Sequence, residues 1–293
     1  MHIQLKNVVK TYGRFKALDG ANIDIAEGTK TALVGPNGSG KSTLIRVIMG
    51  LISCEGEVSL DGRSPYLRRS STARETAYAP QSAPRTGATV DEIVKAVSAI
   101  REIERETVVA AAGRLDFDLN AVSSKPVREL SGGMKQKLML ALAFAAPARL
   151  LILDEPTASL DAESRGRFFE EFESITGSAT VLLCSHRLEE VRRLVDRVIV
   201  LNAGRVAYDG PAADFIRDRS ISLIEIHADD PDRFVSQGNG EWLNELGFHR
   251  GSKGVWTKSV DRAAKLDLLE SLARRFDSNS VDVTARDVEN YEQ

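Results

Sequence analysis

A glycine-rich run, Gly35-Pro-Asn-Gly-Ser-Gly-Lys-Ser-Thr43, stands between an apolar stretch, Thr31-Ala-Leu-Val34, and a helix-patterned one, Leu44-Ile-Arg-Val-Ile-Met-Gly50. Strand, loop and helix in that order are the context in which such a run cradles phosphate. Gly35, Gly38 and Gly40 permit positive φ and close approach, so N–H groups of a loop completed by Pro36, Asn37 and Ser39 can converge on phosphate oxygens. The helix that starts near Lys41 adds the positive end of its dipole. Lys41 is expected to reach the β- and γ-phosphates of a nucleotide, and Ser42, beside Thr43, to place its hydroxyl on Mg2+.

Further along, Arg149-Leu-Leu-Ile-Leu153 carries a four-residue apolar run suited to a parallel strand buried on both faces. Asp154 and Glu155 follow, and the carboxyl end of such a strand is where these sheets place ligands. Asp154 is assigned to Mg2+, directly or through water, and Glu155 to orienting or deprotonating an attacking water. The two carboxylates could instead cap a helix starting near Pro156. Adjacent carboxylates repel and raise each other's pKa, so a metal between them and phosphate is the more economical reading. Thr180-Val-Leu-Leu-Cys184 reads as another buried strand, with Ser185-His186 at its carboxyl end facing the same crevice. A second glycine-rich turn, Leu130-Ser-Gly-Gly-Met-Lys-Gln136, lies upstream of the acidic strand and marks another phosphate-recognising surface.

These motifs, in this order, resemble the ATP-binding cassette family over about residues 1–215. The resemblance implies a P-loop α/β fold: a mixed sheet core with antiparallel edge strands, plus a helical subdomain at 82–135 that carries the signature turn. It implies that His186 is the switch histidine on the γ-phosphate, and that Gln81 in Tyr78-Ala-Pro-Gln81 senses Mg2+ and water. On the same likeness, Tyr12 in Lys10-Thr-Tyr-Gly13 stacks on adenine, and Asp161 in Ser159-Leu-Asp161 belongs to a loop that communicates across a dimer. Ser131, Gly132 and Gly133 would close over ATP held by a second copy, giving a head-to-tail homodimer with two Mg-ATP at the seam. Within 82–135, Asp91 to Val97 and the long Ile100 to Leu115 stretch are both helix-patterned.

A chain of 293 residues, 42% hydrophobic, can bury one large core and a smaller one. Its net charge of -3 argues against a nucleic-acid partner, which would call for a basic surface. Two cysteines, Cys54 and Cys184, suggest a reducing compartment and inert packing roles. Met1 to Val8 alternates like an edge strand, with no leader peptide. The longest apolar run, Leu138 to Ala146, closed by Pro147, is too short for a bilayer, which needs about 20 residues, and reads as a core helix. Any membrane path must then come from a separate permease chain, with this chain cytoplasmic and peripheral on the inner face of the membrane.

After about residue 216 the pattern changes. Ile221 to Ile226 reads as a strand, Pro231 to Phe248 as broken helix, and Gly254 to Lys258 as a strand. Asp261 caps a helix with Ala264, Leu268, Leu269, Leu272, Ala273 and Phe276 on one face, and Val281 to Val283 closes as a strand. That order is the ferredoxin-like one, giving a small α+β domain at 216–293. Such a domain could bind a ligand or pack on the cassette or its dimer mate. Tails of this length look like those of cassette ATPases that power drug and lipid exporters. Leu130 to Leu138 and Cys184 to Glu190 are also similar to the ATPase associated with copper-site assembly of nitrous oxide reductase. The alternative is a soluble cassette protein of translation or DNA repair. Those carry two cassettes or a long coiled-coil insertion, and neither is present.

Overall fold

The computed structural model describes every residue except 147, 229, 252–253, 277–280 and 290–293, together with the side chains of 218–223, 259, 261–263 and 286–289. The chain divides into two compact units, Met1–Ala212 and Ala213–Gln293.

The first unit opens with β1 (Ile3–Tyr12) and β2 (Phe15–Ile25), then β3 (Lys30–Val34), α1 (Lys41–Ile48) and β4 (Glu55–Leu60). It continues through α2 (Arg69–Glu75), β5 (Thr76–Ala79), α3 (Val90–Arg101), α4 (Arg105–Arg114) and α5 (Gly132–Phe144). β6 (Leu150–Asp154), α6 (Ala162–Thr176), β7 (Thr180–Cys184), α7 (Leu188–Leu194), β8 (Arg197–Asn202) and β9 (Arg205–Pro211) complete it.

Six strands form one sheet in the order β5-β6-β7-β3-β8-β9, parallel except for the antiparallel edge strand β9. β6 and β7 are buried at every position, as helix-covered parallel strands must be. A separate antiparallel sheet runs β2-β1-β4, so β1 is its central strand and not the edge strand that its alternation suggests. Alternation reports one wet face, which a central antiparallel strand has too.

The segment Ile100 to Leu115 is two helices, because Glu102 adopts φ +56° and ends α3 there. α3 begins with a capping box in which the Thr89 hydroxyl and the Glu92 carboxylate each accept from the other's backbone N–H. α5 is buried at every position from Leu138 to Phe144, the mark of an internal helix. Its last carbonyls are satisfied from outside: the Arg101 guanidinium donates to Leu142 O, Ala143 O and Ala146 O at 3.1–3.3 Å. Pro147 lies outside the described residues.

α8 (Ala212–Arg219) starts at the last residue of the first unit and continues in the second, which contains β10 (Ser220–Ala228), α9 (Pro231–Ser236), α10 (Asn239–Glu245), β11 (His249–Arg250), β12 (Trp256–Asp261), α11 (Arg262–Arg275) and β13 (Val281–Glu289). Its antiparallel sheet runs β11-β12-β10-β13, the ferredoxin-like order with the first helix split in two. Ile224, Ile226, Phe234, Leu243, Phe248, Trp256 and Leu272 make one apolar cluster. Asp261 directly precedes α11, and its expected capping side chain lies outside the described residues. Two expectations differ here. Ala264 and Ala273 of α11 are exposed, leaving Leu268 and Leu272 as its buried residues among those described. β13 extends six residues past Val283, because residues as polar as Thr284 and Asp287 still pair with β10.

Candidate functional site

In the strand order of the larger sheet, β5, β6, β7 and β3 are consecutive neighbours. In-register pairing sets Ala79 beside Leu153, Asp154 beside Cys184, and Leu33 beside Cys184. The residues that leave these strand ends are therefore brought into one row: Gln81, then Asp154-Glu155, then Ser185-His186, then the loop Gly35 to Thr43. A crevice at this end is lined by Asn37, Gly38, Gly40, Lys41, Ser42, Thr43, Gln81, Asp154 and Glu155.

The loop's shape depends on its glycines. Gly35 and Gly40 have φ +152° and +109°. A Cβ would lie 2.2 Å from the Leu201 carbonyl oxygen at Gly35, and 2.4 Å from that of Ala17 at Gly40. No other residue fits there without moving backbone. Gly40 precedes α1 with no side-chain cap, so the first-turn N–H groups of Lys41, Ser42 and Thr43 remain available to an anion. The Lys41 ammonium donates to Gly35 O at 2.6 Å and Pro36 O at 3.0 Å, which holds it over the loop. Ser39 is buried, and its Oγ has no hydrogen-bond partner among the described residues.

Asp154 is 8% exposed. Burial, and then the neighbouring Glu155 charge, push its carboxyl above the ordinary range, while Lys41 and Arg46 oppose the shift. A buried carboxylate in that position gains from a cation beside it. With the Ser42 hydroxyl it makes a set of hard oxygen donors that fits Mg2+, phosphate oxygens and water supplying the remaining positions. Glu155 has φ +51°, a left-handed conformation that is strained outside glycine. Its N–H donates to Cys184 O at 2.8 Å, which anchors the turn to β7, and its Oε2 lies 2.7 Å from His186 Nδ1. The two residues do not cap a helix at Pro156. The next helix, α6, begins six residues later at Ala162, with Asp161 as its cap, accepting from the Ser164 N–H at 2.8 Å.

Tyr12 stands at the tip of the β1–β2 hairpin, 47% exposed, with the Lys10 ammonium 5.4 Å from its ring centre. Its cross-strand partner is Phe15, and it is Phe15, with Ala17, that reaches the crevice wall. The sequence reading missed Phe15. Its signal was its place opposite Tyr12 across the two-residue turn Gly13-Arg14.

Ser131, Gly132 and Gly133 are not on the wall of this crevice. Ser131 caps α5, its hydroxyl accepting from the Met134 N–H at 3.2 Å, and the helix starts at Gly132. Gly132 borders a neighbouring groove lined also by Gln81, Arg85, Arg128, Lys135 and Ser159. Gln81 is the only residue that borders both this groove and the crevice, among the described residues. Cys184 is fully buried, and burial, with Asp154 next, pushes its thiol well above the ordinary range. Burial raises Cys54 too.

A parallel sheet with a phosphate loop, a carboxylate pair and a histidine at one end defines a nucleotide-hydrolysing P-loop protein. The profile of the ABC transporter family matches residues 18–158. The chain is 34% identical over 248 residues to the Nod factor export ATP-binding protein I of Sinorhizobium fredii, covering 80% of this chain and 70% of that one. It is 32% identical over 234 residues to the sulfate/thiosulfate import ATP-binding protein CysA of Xanthomonas campestris pv. campestris, covering 74% and 68%. A solved structure, the ATP-binding subunit of an ABC transporter, superposes with a TM-score of 0.66 at 28% identity, covering 74% of this chain and 93% of that one. The chain belongs to the ABC transporter family and is one of its ATP-hydrolysing cassettes.

Proposed function

We propose that this cassette powers export through a separate permease, and that two copies close around two Mg-ATP. The observation that carries the closure is the separation of the two phosphate-recognising surfaces within one chain. The crevice is walled by residues of the loop Asn37 to Thr43 and by Asp154-Glu155, whereas none of Ser131, Gly132 and Gly133 is on its wall and Gly132 borders the neighbouring groove. A head-to-tail pair lets each copy's α5 N-terminus complete the other's crevice.

In that arrangement the loop N–H groups and Lys41 hold the β- and γ-phosphates. Ser42 and Asp154 would hold Mg2+, with Gln81 beside it, and the ion would offset phosphate charge. Glu155 accepts a proton from the attacking water, and His186, at 2.7 Å from it, keeps the carboxylate oriented and reaches the γ-phosphate. Asp161, the cap of α6, belongs in this reading to the loop that communicates across the pair. ATP favours the closed pair, and loss of the γ-phosphate returns it to the open state.

No helix among the described residues is long and apolar enough to cross a membrane, so the transport path belongs to another chain in this reading. The groove flanked by Arg85, Arg128 and Lys135 offers cations to an acidic permease segment, and Gln81 links it to the crevice. The chain would then sit on the inner face of the membrane. Export is favoured by the form of the C-terminal tail, while copper-site assembly enters through the similarity of Leu130 to Leu138. In either case the cargo contacts the permease. The test is Glu155→Gln: ATP is retained, turnover stops, and size-exclusion chromatography shows a nucleotide-dependent dimer. A variant that stays monomeric with ATP bound would remove the paired closure.

A further inference from the structure

Behind Glu155 and His186 lies a buried polar cluster that none of the phosphate motifs includes. Glu190, in the first turn of α7, is 1% exposed, and Thr157 is fully buried. The Thr157 hydroxyl donates to Glu190 Oε1. Ser185 is also buried, and its Oγ accepts from the Arg187 N–H at 3.0 Å. Arg187 Nε stands 3.9 Å from Oε1. Burial pushes the Glu190 carboxyl above the ordinary range, Thr157 and Ser185 oppose that, the Glu155 charge adds to it, and Arg187 opposes it. α7 does not need a carboxylate to pack, since Leu188, Val191 and Leu194 already bury its apolar face. A carboxylate is costly to bury without a purpose for its partners.

Those partners are telling by position. Thr157 is two residues after Glu155, and Ser185 immediately precedes His186. The Glu190 carboxylate is bonded to Thr157 and lies beside Arg187, whose N–H is bound by Ser185, so it joins the turn after β6 to the turn after β7, next to the point where Glu155 takes its strained φ. We propose that Glu190 is a positioning residue: by holding Thr157 directly, and the turn of Ser185 through Arg187, it keeps Glu155 and His186 in register and sets kcat for ATP hydrolysis without touching nucleotide. The proposal rests on the reading of Glu155 and His186 given above.

Steady-state ATPase kinetics of the full chain test it, with Glu190→Ala, Glu190→Gln, Thr157→Val and Glu155→Gln in parallel. Glu190→Ala and Thr157→Val are expected to lower kcat about tenfold or more, with KM for ATP changed less than about threefold. Glu190→Gln, whose amide oxygen still accepts from Thr157, is expected to keep kcat within about threefold of the parent. The double variant Glu190→Ala/Thr157→Val should be no slower than Glu190→Ala alone, because the two act as a unit. A parental kcat in both single variants, additive losses, or a raised KM at constant kcat overturns the proposal. Should Glu190→Ala not fold, the nearly isosteric Thr157→Val decides by itself. If Glu155→Gln hydrolyses ATP at the parental rate, the site reading falls and takes this one with it. If Glu155→Gln is inactive while the Glu190 and Thr157 variants are normal, only the present proposal falls.

Discussion

In the cassette, four neighbouring parallel strands end in glycines, carboxylates, a glutamine and a histidine. In the C-terminal unit, four antiparallel strands and their helices enclose a cluster of described residues that is wholly apolar. Both pack by the same rules, yet among the described residues only the first spends stability on strained or buried polar positions such as Glu155 and Asp154. The difference teaches where chemistry is stored: in departures from good packing at strand ends, not in the core. The two tryptophans, Trp242 and Trp256, both belong to the C-terminal unit, so their fluorescence follows that unit while ATP turnover follows the other.

The contrast would break most visibly with Glu155→Gln. Turnover should fall about 10² to 10⁴-fold with the tryptophan-monitored unfolding transition unmoved. A shifted transition would mean that the two regions are not energetically separate. Leu243→Ala runs the comparison in reverse. Leu243 is fully buried, so its truncation should cost about 2–5 kcal/mol in the tryptophan-monitored transition, with kcat unaltered. Tyr12→Ala, measured by nucleotide titration, should weaken ATP binding by about 1–3 kcal/mol, the worth of a base on an aromatic. An unchanged affinity would pass that role to Phe15. The smallest expected effect is that of Thr89→Ala, which removes the capping box of α3 and should lower cassette stability by about 1 kcal/mol in a circular dichroism melt.

The sequence disclosed the class of fold because Lys41, Asp154 and the flanking apolar runs obey local rules: a strand must end where backbone amides or carboxylates are needed. Register obeys no such local rule. The alternation of Met1 to Val8 could not distinguish a central from an edge strand, since both leave one face wet. Pro156 suggested a helix start, but the chain makes a further turn and waits for Asp161, a better cap. Polar residues hid the length of β13, where long-range pairing with β10 outweighs weak strand propensity. Phe15 and Glu190 escaped for a related reason: each matters through the residue that topology sets opposite it, Tyr12 in one case and Thr157 in the other.

β6 is only five residues long and is bonded on both sides to strands of fixed register. One residue gained or lost within it would turn Asp154 to the opposite face and carry Glu155 away from the glycine-rich loop. Such a lesion would leave every motif spelled correctly and the enzyme dead. In this segment the heritable quantity is a count, so indels there should be far rarer among descendants of this chain than in its surface loops.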